Sequence, residues 1–177
     1  MSLDPAPSPL DESITSKPFR LRPAAACDCE GLVSLISGLA EYEHLTHQLE
    51  ITPEKLATHL FGPRPVAEAL VAEGVDGALI GFALYFTNFS TFLAKPGLYL
   101  EDLFVLPEAR RMGVGRALIS AVARLAAERD YGRFEWAVLD WNEPALQFYR
   151  QLGATVLPDW RVCRLTGAEL QRFRSDS

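Results

Sequence analysis

Residues 98 to 126 change their hydrophobic period once, and that change limits the possible folds more than any other stretch of the chain. Leu98 to Leu106 is apolar and aromatic enough to predict a strand. From Val114 onward, Val114, Ala117, Leu118, Ala121, Val122, Leu125 and Ala126 share one helical face, and Arg116, Ser120, Arg124 and Glu128 share the other. The junction reads Pro107-Glu108-Ala109-Arg110-Arg111-Met112-Gly113-Val114-Gly115. A strand that enters a helix through such a turn aims free backbone N–H groups, and the positive end of the helix dipole, at one spot. Gly113 and Gly115 have no side chains, so a ligand can approach the backbone closely. Arg110, Arg111 and Arg116 add cationic charge. Together these features suit a pyrophosphate. Gly-x-Gly alone is equally compatible with a tight turn. It is no Walker loop, because no Gly-Lys-Ser/Thr follows. A dinucleotide fold places an acid about twenty residues beyond its glycines, at the end of the next strand. Here Asp130 lies fifteen residues after Gly115 and precedes the next strand.

The remaining periodicities build a mixed α/β arrangement around that junction. Phe19 to Arg22 alternates as a short strand ended by Pro23. A helix is expected from about Asp28 to Tyr42, with Leu32, Ile36 and Leu39 on its stripe. Thr52-Pro53-Glu54 opens another helix, with Thr52 as its cap and Pro53 in its first turn. Val66–Glu73 and Ala78–Phe86 read as strands joined by the hairpin signal Gly74-Val75-Asp76-Gly77. Phe134–Leu139 is a further strand, and Asn142 caps a helix that Gly153 stops. Trp160–Leu165 is expected as a last strand, and Thr166-Gly167-Ala168-Glu169 as a capping box opening a short helix. The order β-α-α-β-β-β-α-β-α-β predicts a mixed sheet with helices on its faces.

Length and charge remove several classes of function. The chain has 177 residues, enough for one domain, expected from about residue 18 to 177. Met1 to Lys17 is rich in Pro, Ser and Asp and is expected to be a disordered leader. The net charge of −6 argues against a nucleic-acid partner and would draw in cationic ligands. No run of eighteen apolar residues exists, so no membrane span is expected. Three cysteines, Cys27, Cys29 and Cys163, suit a reducing cytoplasmic setting. One residue separates Cys27 from Cys29, too few for a zinc knuckle, so all three read as packing residues and no metal is expected. His44, His47 and His59 read as surface residues.

Four spaced motifs together resemble the GNAT superfamily of acetyltransferases. Its acyl-CoA loop, Arg/Gln-x-x-Gly-x-Gly/Ala, is matched by Arg110, Gly113 and Gly115. Tyr99-Leu100-Glu101-Asp102-Leu103-Phe104-Val105, Trp141-Asn142-Glu143-Pro144 and Phe148 to Ala154 are similar to the spermidine/spermine (diamine) branch. The likeness runs from about residue 19 to 170 and implies the acyl-CoA N-acyltransferase fold. It also implies direct transfer from acetyl-CoA to an amine in a ternary complex, and a homodimer. Such a reaction needs a base for the ammonium, donors for the developing oxyanion and an acid for the thiolate. The resemblance makes Tyr149 the acid, and a phenol with pKa near 10 is protonated at neutral pH. It makes Glu101 the base, through water. Adjacent acids in a regular strand point to opposite faces, so only one of Glu101 and Asp102 would face the amine.

The resemblance also assigns contacts. Leu103, Phe104 and Val105 would offer backbone N–H groups to the acyl oxygen, in a strand that carries a bulge in this family. Arg110, Arg111, Met112, Gly113, Val114, Gly115 and Arg116 would hold the cofactor's pyrophosphate. Asn142 would lie near its pantetheine arm, a role compatible with its capping role. Tyr149 would reach its sulfur. Tyr42, Glu43, Glu101, Glu135, Trp136 and Ala137 would meet the small amine acceptor, by charge and by cation–π attraction. Glu43 reads equally well as a solvated helix end.

Two departures bear on the acceptor. The segment Thr155–Asp159 before Trp160 is short for the polyamine enzymes. Ala137 to Asn142 is closer to the thialysine acetyltransferases. Because one fold serves many acceptors, a protein or peptide N-acetyltransferase and a silent acyl-CoA sensor are the rival readings. The presence of both Glu101 and Tyr149 weighs against the sensor.

Overall fold

The computed structural model describes residues 18–174. The expected leader, residues 1–17, lies outside the described residues. The chain forms two compact units, one ending at Ala137 and one beginning at Val138.

In the first unit, five strands form one sheet in sequence order: β1 (Phe19–Pro23), β2 (Glu68–Gly74), β3 (Leu79–Ser90), β4 (Lys95–Val105) and β5 (Arg133–Trp136). The first four pair antiparallel, and β4 with β5 is parallel, which makes the sheet mixed as expected. The β2–β3 turn forms at the anticipated place. Gly77 takes φ +84°, and the Gly74 N–H donates to the Ala78 carbonyl at 2.8 Å.

Helices α1 (Cys29–Tyr42) and α2 (Pro53–Phe61) share one core with the sheet. Leu32, Leu35 and Leu39 of α1 and Leu56 and Leu60 of α2 pack with Ala69, Val71, Phe82 and Phe104. Because strand side chains alternate, Ala72, Ala83 and Leu103 belong to the opposite face. That face meets α3 (Val114–Glu128), whose buried stripe is Val114, Leu118, Ile119, Val122 and Ala126. Thr52 caps α2 as its sequence implies, accepting from the Lys55 N–H at 3.3 Å.

Arg22 ties β1 to β2 and to the entry of α1. Its guanidinium donates to both Asp28 carboxylate oxygens, at 2.6 and 2.9 Å, and to Glu73 at 2.7 Å. Asp28 is buried and also accepts the Ala25 N–H at 2.7 Å. Hydrogen bonds from Arg22 hold its carboxyl below the ordinary carboxylate range.

The second unit holds α4 (Glu143–Gln151) and α5 (Gly167–Gln171). The expected strand over Trp160–Leu165 is not formed. That segment has no regular structure, and Trp160, Val162 and Leu165 are exposed. An alternating pattern makes a strand only where a neighbour pairs with its backbone, and the described ladders give it none. The proposed capping box is incomplete, since the Thr166 side chain accepts no cap bond. The cysteines also differ from expectation: Cys29 is buried in the core, but Cys27 and Cys163 are exposed. His44, His47 and His59 are all exposed, as expected.

Candidate active site

The Arg110–Gly115 segment forms the turn that its glycines imply. Gly113 is the cap residue of α3 at φ +81°, and no side chain caps this helix end. Arg111 also takes a left-handed backbone, φ +67°. The two glycines differ in what they require. A Cβ on Gly113 would touch nothing within 4 Å but would sit on a left-handed backbone. A Cβ on Gly115 would meet only Val105 Cγ2, at 3.7 Å, with ordinary φ. Neither packing nor backbone demands glycine at 115, which leaves room for a ligand to lie against the helix end. Uncapped N–H groups and arginines at 110, 111 and 116 fit a pyrophosphate there. Met112 is exposed on the turn, and Val114, at the start of α3, is buried.

β4 brings a second set of groups together. Tyr85 pairs with Leu100, but its neighbour Leu84 pairs with Asp102, so Glu101 is an extra residue and β4 bulges there. Beyond the bulge, Leu103, Phe104 and Val105 pair with Ala83, Phe82 and Gly81 of β3. The β5 ladder stops at Leu100–Trp136, so from Glu101 to Val105 β4 has a ladder on one side only among the described residues. Such an edge offers backbone groups to a ligand.

The bulge changes the reading of the two acids. In a regular strand only one would face the amine. Here the irregularity breaks the alternation, and Asp102 falls on the face of its partner Leu84, with Phe104 and α1. Glu101 is exposed. The Asp102 carboxyl is pushed up to about 7, first by burial and then by the charges of Glu101 and Glu43. Glu43, the C-cap of α1, is itself raised by burial. The charges of Glu101, on the bulge, and of Glu43, at the end of α1, thus both bear on Asp102. Tyr42 belongs to the same region, with the Arg110 guanidinium 5.1 Å from its ring centroid and 5.9 Å from that of Phe104.

The three β5 positions part company. Glu135 pairs with Tyr99 across the ladder and is engaged by Asn88 at 2.9 Å and Arg133 at 3.2 Å. Trp136 pairs with Leu100, so it lies on the opposite face, with its ring centroid 4.9 Å from that of Phe134. Ala137 is exposed and ends the unit.

In the second unit, Asn142 caps α4 by accepting the Ala145 N–H at 3.3 Å. Tyr149 is half-buried in the last turn of α4, its ring 5.4 Å from that of Phe148. Its carbonyl accepts the Ala154 N–H at 3.1 Å, and Gly153 turns the chain at φ +89°.

Asp102 is the residue that sequence reasoning passed over. The signal was present: Leu100 is followed by two acids and then by two apolar residues, a break in alternation that marks a bulge. Among the described residues no group of acids, histidines or cysteines is arranged to hold a metal. No helix of the described residues is long and apolar enough to cross a membrane.

Residues 36–154 match the profile of the Acetyltransferase (GNAT) family. A thialysine N-epsilon-acetyltransferase of Mus musculus is 36% identical, over 87% of this chain and 96% of its own. An L-ornithine N5-acetyltransferase of Arabidopsis thaliana is 34% identical, over 86% of each chain. An integron cassette protein from V. cholerae has a similar structure, with a TM-score of 0.73, 24% identity and coverage of 88% of this chain and 96% of its own. This last likeness shows the fold alone.

Proposed function

The chain belongs to the GNAT acetyltransferase family, and from that premise we propose that it moves the acetyl group of acetyl-CoA onto a primary amine of a small cationic acceptor. The acceptor is of the lysine-like or diamine kind. The observation that carries this reading is the convergence of Glu43, Glu101 and Asp102 at the β4 bulge, which suits an ammonium better than a neutral group. The names of the relatives, which act on ornithine and thialysine, support it.

Acetyl-CoA, when bound, supplies an activated acyl group as a thioester. The residues of this chain do the rest. Gly113, Val114, Gly115 and Arg116 bind its pyrophosphate with Arg110, Arg111 and Met112, and Asn142 meets the pantetheine arm. Glu101 receives a proton from the ammonium through water, which frees the nitrogen lone pair. Backbone N–H groups of Leu103, Phe104 and Val105 stabilise the oxyanion as the C–N bond forms. As the C–S bond breaks, Tyr149 would give its proton to the departing sulfur, and the second proton lost from the nitrogen would return to the Tyr149 phenolate, through water. Tyr42 and Glu43 hold the remainder of the acceptor, with Glu135, Trp136 and Ala137 beyond them. We further propose that the protein works in the cytoplasm as a homodimer.

The test is acetyl-CoA consumption against a panel of ornithine, thialysine, spermidine, monoamines of equal length and peptides. Acceptors with a second charged group should win by at least about tenfold in kcat/KM. Tyr149→Phe should bind acetyl-CoA normally and turn over roughly 10²-fold more slowly, the usual scale for a general acid. Equal kcat/KM for diamine and monoamine would overturn the acceptor reading. Turnover by the Phe variant within twofold of wild type would remove Tyr149 from the reaction.

A further inference from the structure

Arg110 stands between two features of the first unit. Its backbone opens the turn that leads through Arg111 and Gly113 to the N-terminus of α3. Its side chain runs toward the sheet. Nε donates to the Val105 carbonyl at 3.3 Å. The guanidinium lies over two aromatic rings, 5.1 Å from the Tyr42 centroid and 5.9 Å from the Phe104 centroid. Tyr42 is the last residue of α1, next to Glu43, and Phe104 lies two residues beyond Asp102. Phe104 is buried in the core, whereas Tyr42 is partly exposed, so the guanidinium covers the one of these two rings, the Tyr42 wall, that the acceptor reading gives to a cation.

One ring face holds one cation at a time. Guanidinium and ammonium are drawn to it by the same quadrupole, so Arg110 and a cationic acceptor compete for the wall. A phosphate group is a stronger partner for this side chain than a ring. The planar guanidinium meets two phosphate oxygens at once with charge-assisted bonds. The phosphate-binding turn begins at the next residue, within the reach of the same side chain.

We propose that Arg110 is a positioning residue that couples the two binding events: it screens the Tyr42 ring and leaves it when a phosphate occupies the adjoining turn. Occupancy of the turn by CoA then opens the wall to the acceptor. The proposal rests on the acceptor reading above, and it adds an order of events that the reading alone does not contain. A coupling of this kind is reciprocal, so the acceptor must tighten CoA by the same factor as CoA tightens the acceptor.

Calorimetric titration of ornithine and of spermidine, with and without saturating CoA, tests this. CoA is used in place of acetyl-CoA so that no turnover occurs. In the wild-type protein, CoA should tighten the acceptor at least about tenfold, inside the usual range of such couplings. Arg110→Ala should bind the acceptor without CoA as tightly as wild type does with it, and the ratio should fall to within twofold. Arg110→Gln, which keeps a polar side chain and loses the charge, should behave in the same way. Circular dichroism checks that both variants are folded. A wild-type ratio near one, or a tenfold ratio that survives in both variants, overturns the coupling. If ornithine and spermidine are acetylated and yet the ratio is one, the coupling alone fails. If neither is acetylated nor bound in any state, the acceptor reading fails and takes the coupling with it.

Discussion

Asp102 is where one residue departs furthest from its behaviour in water. An ordinary aspartate is ionised above about pH 4. Here burial comes first, and the neighbouring charges of Glu101 and Glu43 add to it, so the carboxyl titrates at about 7. The folded chain holds this proton more tightly than the unfolded chain does. Stability linked to it is therefore complete below about pH 4 and is lost as pH rises to about 7. Ionising the group when folded costs at most about 4 kcal/mol more than when unfolded. Asp102→Asn cannot ionise. It should raise stability by roughly 2 kcal/mol at pH 8 and by little at pH 4, as read by urea denaturation. Activity should show the same group with the opposite benefit. Wild-type kcat/KM for a cationic acceptor should climb through pH 7 as the carboxyl gains charge, and the Asn variant should lose that limb. A stability difference that is the same at both pH values would show that Asp102 does not titrate as its surroundings imply.

Among the elements, the turn into α3 separates what the fold needs from what a ligand needs. Gly113 has φ +81°, and Gly115 has ordinary geometry with open space beside it. Gly113→Ala should cost about 1–2 kcal/mol of stability through its left-handed backbone. Gly115→Ala should leave stability unchanged or raise it by up to about 1 kcal/mol, because alanine suits a helix better than glycine. The loop pattern that Gly115 matches admits alanine, so a methyl is compatible with the cofactor, but a larger branched side chain would stand where the pyrophosphate approaches. We expect Gly115→Ala to bind acetyl-CoA within about twofold of wild type and Gly115→Val to weaken binding at least about fivefold. Undiminished affinity in a folded Gly115→Val protein would move the phosphate site elsewhere. The turn was legible because a switch from strand to helix period, joined by glycines and arginines, leaves few alternatives. The bulge in β4 was less legible. Its position depends on which residue of β3 pairs with which residue of β4, and that register is settled across the ladder.

At the scale of the whole molecule, the second unit carries a run of exposed apolar side chains. Val156, Leu157, Trp160, Val162, Leu165, Leu170 and Phe173 are all exposed, Trp160 at 77% and Phe173 at 75%. A stretch this apolar suits burial against another surface. We expect a two-fold dimer, the commonest assembly of soluble chains. Light scattering at micromolar protein should give twice the mass of one chain. A fully active monomer would exclude the dimer.

The sequence by itself determined the elements and their type. Each of the first nine expected strands and helices, through the helix that Asn142 caps, is present with shifted ends, because apolar period and capping residues act over a few neighbouring positions. It determined the glycine turn into α3 for the same local reason. Tertiary structure alone decided which side chains share a face. Pairing across β3 and β4 made Glu101 the extra residue and put Asp102 with Phe104. Pairing across β4 and β5 sent Glu135 and Trp136 to opposite faces. The Trp160–Leu165 segment failed as a strand on the same ground, since a strand exists only where another backbone completes its hydrogen bonds.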